Sequence, residues 1–213
     1  VHYGTAIPAI RRIVREELRS AGDPDRPAIL DLVDELWATP VHERRMAAVE
    51  VLAAQVRLLA FDDLPRVERL LRQARTWALV DPLAINVVPP LLDRDPDAAT
   101  RILDGWATDD DFWLRRTALL AHLTALRTGG GDWERFARYA DAMLDEREFF
   151  IRKAIGWVLR DTARKRPGMV AAWILPRAHR ASGVTVREVV KYLDRGDAAE
   201  VTRRQRSKLA DEP

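Results

Sequence analysis

The feature that most constrains the fold is a motif that returns. Val41-His42-Glu43-Arg44-Arg45-Met46-Ala47, Phe112-Trp113-Leu114-Arg115-Arg116-Thr117-Ala118 and Phe149-Phe150-Ile151-Arg152-Lys153-Ala154 echo one another, their terminal alanines 71 and then 36 residues apart. A period of about 35 residues results, with a further copy expected near residue 82. Trp77-Ala78-Leu79-Val80-Asp81-Pro82 stands there. The aromatic lead is kept, the cation pair is gone, and Asp81 occupies its neighbourhood. One anion in a row of cations is a poor phosphate contact. It is well suited to stabilise positive charge that develops during a reaction.

Between the motifs the pattern is helical. Apolar residues recur at three- and four-residue spacing, as in Leu32, Leu36, Val49, Leu52 and Val56, and alternating strand-like runs with hairpin signals are lacking. Breakers such as Gly22-Asp23-Pro24, Thr39-Pro40, Pro89-Pro90, Gly129-Gly130-Gly131 and Pro167-Gly168 divide the chain. They predict helices at about 8–20, 27–38, 42–57, 63–75, 77–91, 97–107, 111–127, 132–145, 148–165, 168–180 and 185–194, with a short one near 199–209. A hairpin of this length cannot bury its own apolar face, so neighbours must stack. The expected fold is all-α: an α-solenoid of stacked antiparallel helical hairpins, HEAT-like, forming one domain over residues 1–213. Equivalent helices would line one concave face and give it a basic groove. A single Arg pair reads equally as a solvated face or an ion-pair partner; three in register read as a strip.

Composition narrows the function. The chain is 47% hydrophobic and 32% charged, the balance of a globular protein. No apolar run approaches the roughly 20 residues that span a bilayer. There are no cysteines, which excludes disulfides, thiolate metal sites and a Cys nucleophile and suits a cytoplasmic protein. The four histidines, His2, His42, His122 and His179, show no ligand spacing, so neither metal nor cofactor is expected. A net charge of +2 implies no nucleic acid by itself; any such case rests on the positions of the cations. No coiled-coil seam points beyond a monomer. The tail Arg203-Arg204-Gln205-Arg206-Ser207-Lys208 reads as a basic end adding non-specific phosphate attraction.

The string Glu148-Phe149-Phe150-Ile151-Arg152-Lys153-Ala154-Ile155-Gly156-Trp157-Val158-Leu159-Arg160-Asp161, with Phe112 to Ala118 before it, resembles the HEAT-repeat alkylpurine DNA glycosylases of the AlkD type. Tyr3-Gly4, Phe61-Asp62-Asp63-Leu64-Pro65, Trp77 with Asp81, Arg187-Glu188 and Lys191-Tyr192-Leu193 extend the likeness over almost the whole chain. The resemblance implies removal of positively charged N3- and N7-alkylated purines from duplex DNA without flipping the base. It implies Asp81 as the catalytic carboxylate, Trp77 and Trp157 as active-site tryptophans, and Arg116 as a grip on the DNA backbone. Two departures stand out. Ala78 follows the first tryptophan, where the family pattern has an acid, and Pro82 follows the aspartate and should distort the helix. The family's two front helices are expected either to be missing or to lie outside this sequence, which opens at Val1, just short of Tyr3-Gly4.

The chemistry suits these residue types. A cationic purine is a good leaving group, and its departure leaves an oxocarbenium-like sugar that a fixed carboxylate stabilises more than the ground state. Tryptophan faces attract cations. Trp77 and Asp81, four apart, would share a helix face. Arg44, Arg45, Arg115, Arg152, Lys153, Arg187 and Lys191 are the candidate DNA-binding cations, positioning a duplex without reading its sequence. Trp37, Trp106, Trp113, Trp133 and Trp173 read as core, and Asp109-Asp110-Asp111 as helix caps. No lysine is evidently placed for Schiff-base chemistry, so the expected enzyme is a monofunctional glycosylase. The alternative is a non-catalytic helical-repeat scaffold that binds DNA or a protein.

Overall fold

The computed structural model describes residues 2–22 and 24–211, with 208–211 by backbone alone, and every regular element among them is helical. Asp23 of the first predicted breaker and the side chain of Lys208 in the basic tail lie outside the described residues. The chain forms two compact units that divide after Ile102.

The first unit holds α1 (Ile7–Ser20), α2 (Arg26–Ala38), α3 (His42–Ala54), α4 (Leu64–Ala74), α5 (Trp77–Pro82), a π turn (Leu83–Val87) and α6 (Val88–Leu92). α7 (Pro96–Ala107) carries the division. α3 packs against α1, α2 and α5, and α4 against α5. The core between them includes Ile29, Val33, Val49, Leu52, Leu70, Leu71, Val80 and Leu83. Local chemistry explains the ends. Asp25 caps α2 by accepting from the Ala28 amide, and Pro27 fits the first turn, where its missing N–H costs nothing. α4 stops at Arg75, whose left-handed φ of 47° is unusual for a residue with a β-carbon and costs on the order of 1 kcal/mol.

The second unit holds α8 (Phe112–Leu120), α9 (Leu123–Arg127), α10 (Trp133–Ala142), α11 (Phe149–Ala163), α12 (Pro167–Ile174), α13 (Gly183–Val189) and α14 (Arg195–Asp211). α11 is its hub, packed by α8, α9, α12 and α13. Its Ile151, Ala154, Ile155, Val158 and Leu159 are wholly buried, each large aliphatic contributing about 1.5–3 kcal/mol. Asp111, Asp132, Glu148 and Ser182 cap α8, α10, α11 and α13 through their side chains. Of the three adjacent aspartates only Asp111 is a cap; Asp109 accepts from the Asp111 amide inside the turn.

The repeat is visible in the polar bonds as well as the helices. Arg11–Glu50, Arg26–Asp63, Arg69–Asp34, Trp37–Gln73, Tyr139–Asp104, Arg127–Asp161, Lys153–Glu188 and Arg180–Asp145 all join residues 34 to 39 apart, one hairpin to the next. Boundaries differ from expectation where turns tighten. The helix predicted at 111–127 breaks after Leu120, where the His122 amide goes to Leu119 in a three-residue turn. The tail helix expected at 199–209 begins earlier, at Arg195, because Asp194 accepts from the Asp197 amide at its start. Trp133 is half-buried instead of core: it opens α10 and shares a shallow surface cleft with Trp173.

Candidate functional site

In the first unit the left-handed Arg75 turns the chain sharply out of α4, Thr76 is extended, and Trp77 becomes the first residue of α5. Trp77 is 54% exposed, unusual for so large an aromatic. Asp81 comes one turn later and is only 7% exposed. Pro82 distorts the helix as expected, but after Asp81 and not before it. α5 runs through Pro82 and then widens into the π turn, where the Val88 amide reaches back five residues to the Leu83 carbonyl. The cause is local: Pro82, Pro89 and Pro90 each lack the amide that an α-helical ladder needs there. Asp81 therefore stands on regular helix one turn from Trp77. A carboxylate so nearly removed from water acts on a neighbouring charge with less screening than a surface one.

Counted from the first helical residue, α5, α8 and α11 fall into register. Their first residues are Trp77, Phe112 and Phe149; their fifth are Asp81, Arg116 and Lys153. The fourth residue of α3, α8 and α11 is in each case an arginine that donates backward to the segment before its helix. Arg45 donates to the Trp37 carbonyl, Arg115 to Asp109 and Asp110, and Arg152 to Glu146. The cation pairs thus have partners within the protein. Arg44 donates to the Glu35 carbonyl, and Arg45 lies over the Trp37 ring, 5.0 Å from its centroid, and also reaches Gln73. Arg115 forms a two-pronged pair with Glu146. Arg116 is 2% exposed, donates to the Phe150 carbonyl and lies over the Phe150 ring.

Trp157 sits half-buried on α11, between Lys153 one turn before it and Arg160 on the next. These two cations meet Lys191 at a single carboxylate. Lys153 Nζ is 2.5 Å from Glu188 Oε1, Lys191 Nζ is 3.0 Å from Oε2, and Arg160 donates to Oε2 as well. Burial alone would raise the Glu188 carboxyl, but the three cations outweigh it and hold it at about 2. Arg160 also pairs with Asp161, which takes Arg127 on its other oxygen. Two carboxylates are thus shared by four cations. Arg187 is exposed on α13 beside this cluster's carboxylate in sequence. Gly156 lets α13 approach: a β-carbon there would lie 2.9 Å from Glu188 Cβ and 3.1 Å from Thr185 Cα. The Gly in Lys-Ala-Ile-Gly-Trp is therefore a packing residue that seats Glu188 against α11.

In the sequence Lys153 and Lys191 stand as candidate DNA-binding cations, whereas Glu188, Arg160, Asp161 and Arg127 by themselves carry no signal of a role. The 35-residue separation of Lys153 and Glu188 is the signal that would have joined them. Among the described residues no group of three or more His, Cys, Asp or Glu is placed to hold a metal, and no helix is long and apolar enough to cross a membrane.

Comparison with known proteins places this geometry. No curated protein matches the chain in sequence. Among solved structures it is similar to one described as a predicted DNA alkylation repair enzyme from Enterococcus faecalis, with 19% identity and a TM-score of 0.80 over 92% of this chain and 89% of that one. That likeness establishes the all-α repeat fold. A family model described as DNA alkylation repair enzyme matches residues 1–193. The chain belongs to the DNA alkylation repair enzyme family.

Proposed function

We propose that this protein is a monofunctional DNA glycosylase that hydrolyses the N-glycosidic bond of cationic N3- or N7-alkylated purines in duplex DNA, the base remaining unflipped. The observation that carries the reading is Asp81: a carboxylate 7% exposed, one helical turn after an exposed tryptophan, at the position where the equivalent helices carry Arg116 and Lys153. As the bond from C1′ to the purine nitrogen breaks, its electron pair leaves with the base and neutralises the alkylpurinium. Positive charge passes to the sugar. A preorganised anion stabilises that charge selectively. The same carboxylate orients the attacking water and takes its proton, leaving an abasic site and the free base. Trp77 and Trp157 offer ring faces to the sugar or cationic base. Arg116 and the cations Arg44, Arg45, Arg115, Arg152, Lys153, Arg187 and Lys191 supply positive potential for the DNA backbone.

The test is base release from a duplex containing N7-methylguanine. Asp81→Asn keeps the shape and removes the charge, and single-turnover release should fall about 10²–10³-fold with DNA binding retained. Equal release by both proteins removes Asp81 from the mechanism. One observation favours a non-catalytic DNA- or protein-binding scaffold: Arg116 is almost wholly buried and bonded to the Phe150 carbonyl. Duplex binding with no base release by the wild type would establish that reading instead.

A further inference from the structure

Asn86 has no part in the proposed glycosylase chemistry, yet the fold singles it out. It is the exposed residue of the π turn. In a regular α-helix it would stand about 140° round the axis from Asp81. The π turn accommodates one residue more, and this rotates the end of the turn back toward the side of Asp81. Burial marks one side of this helix as the open one: Ala78, Pro82 and Ile85 are partly open along it, and Trp77 and Asn86 are exposed. Pro89 and Pro90 have no amide with which to restore the α-helical ladder, so sequence chemistry holds the wide turn in place.

The same side chain lines a polar cleft of about 350 Å³ with Arg11, Arg15, Glu50 and the end of α3 at Ala53. Glu50 takes up Arg11 through two bonds of 2.8 and 2.7 Å. Arg15, exposed one turn further along α1, has no carboxylate of its own among the described residues. The cleft thus offers one uncompensated guanidinium opposite an amide that both donates and accepts. That is the chemistry of a phosphodiester beside a deoxyribose. Five residues of helix carry Asn86 about 7 Å from Asp81 along the axis, close to two base steps of about 3.4 Å each.

We propose that Asn86 and Arg15 bind a DNA backbone phosphate one or two nucleotides from the one that Trp77 and Asp81 address. They are positioning residues that set the register of the strand, and the inference rests on the proposed action on duplex DNA. The probe is a fluorescent duplex bearing one N7-methylguanine, followed by anisotropy across a salt series and by base release. Arg15→Gln should make the dependence of log affinity on log salt shallower by about one, and Arg15→Lys should restore it. Asn86→Ala should weaken binding severalfold and Asn86→Asp tenfold or more, because the added charge repels the phosphate. In each the loss should fall on KM and not on kcat. Wild-type affinity and slope in Arg15→Gln and Asn86→Asp, with wild-type base release intact, would overturn this site alone. So would a weakening that tracks a lowered melting temperature and is not relieved by Arg15→Lys. A wild type that neither binds the duplex nor releases base overturns the functional reading, and this site with it.

Discussion

His122 should govern how the second unit loses stability between pH 7 and pH 5. It lies at the tightened turn between α8 and α9, 7% exposed, its ring centroid 6.3 Å from that of Phe136 and 5.9 Å from that of Tyr139. Its Nε2 is buried without a hydrogen-bond partner. Burial holds its pKa at about 4 against an ordinary 6.5. The unfolded chain therefore binds a proton that the native state refuses, in the window from 6.5 down to 4. Stability is complete above that window, falls as pH drops through it, and has lost its full share below pH 4. A gap of 2.5 pH units, taken from the two values, corresponds to about 3 kcal/mol in total, of which about 2 kcal/mol is lost between pH 7 and pH 5. His122→Leu removes the proton site and leaves no polar atom to satisfy. Urea unfolding of both proteins at half-unit steps of pH measures the difference. The wild-type curve should fall about 2 kcal/mol further than that of the variant. Parallel curves over this window would mean that His122 takes up its proton as readily in the folded protein as in the unfolded chain, so that burial does not lower its pKa.

Two further predictions concern the contact of α11 with α13. Glu188→Gln should cost about 2 kcal/mol at pH 7, after discounting for its half-exposed lysine partners. Because the Glu188 carboxyl is held at about 2, that contribution is present above about pH 4.5 and is lost as pH falls through about 2, which acid titration of the difference would reveal. Gly156→Ala should destabilise by about 1–3 kcal/mol despite the better helix propensity of alanine, since its β-carbon meets Glu188 and Thr185. A thermal melt at or above the wild-type value would show that α13 can yield.

The repeat and its helical class were legible because both depend on spacing: apolar periodicity marks the helices, and the recurring cation pair marks the period. The pairing of Trp77 with Asp81 was legible for the same reason, being a matter of counting along one helix. Three features were not. The π turn depends on how several missing amides are resolved together, and Pro82 alone suggested only a distortion of unstated place. The partners of the cations depend on where the next hairpin puts its carbonyls and carboxylates, so Arg116 reads as a surface cation although it is buried against Phe150. Asn86 has no motif at all, and only the widened turn brings it forward.

The polar ties that link each hairpin to the following one also determine how the molecule comes apart. Each of these ties couples nearest neighbours, and among the described residues they span about one period of the chain. Disruption introduced at one hairpin is felt by its immediate neighbours and fades beyond them, as in other linear arrays. Unravelling should accordingly proceed by segments, with different tryptophans reporting different midpoints, and damage to a terminal hairpin can leave distant ones standing.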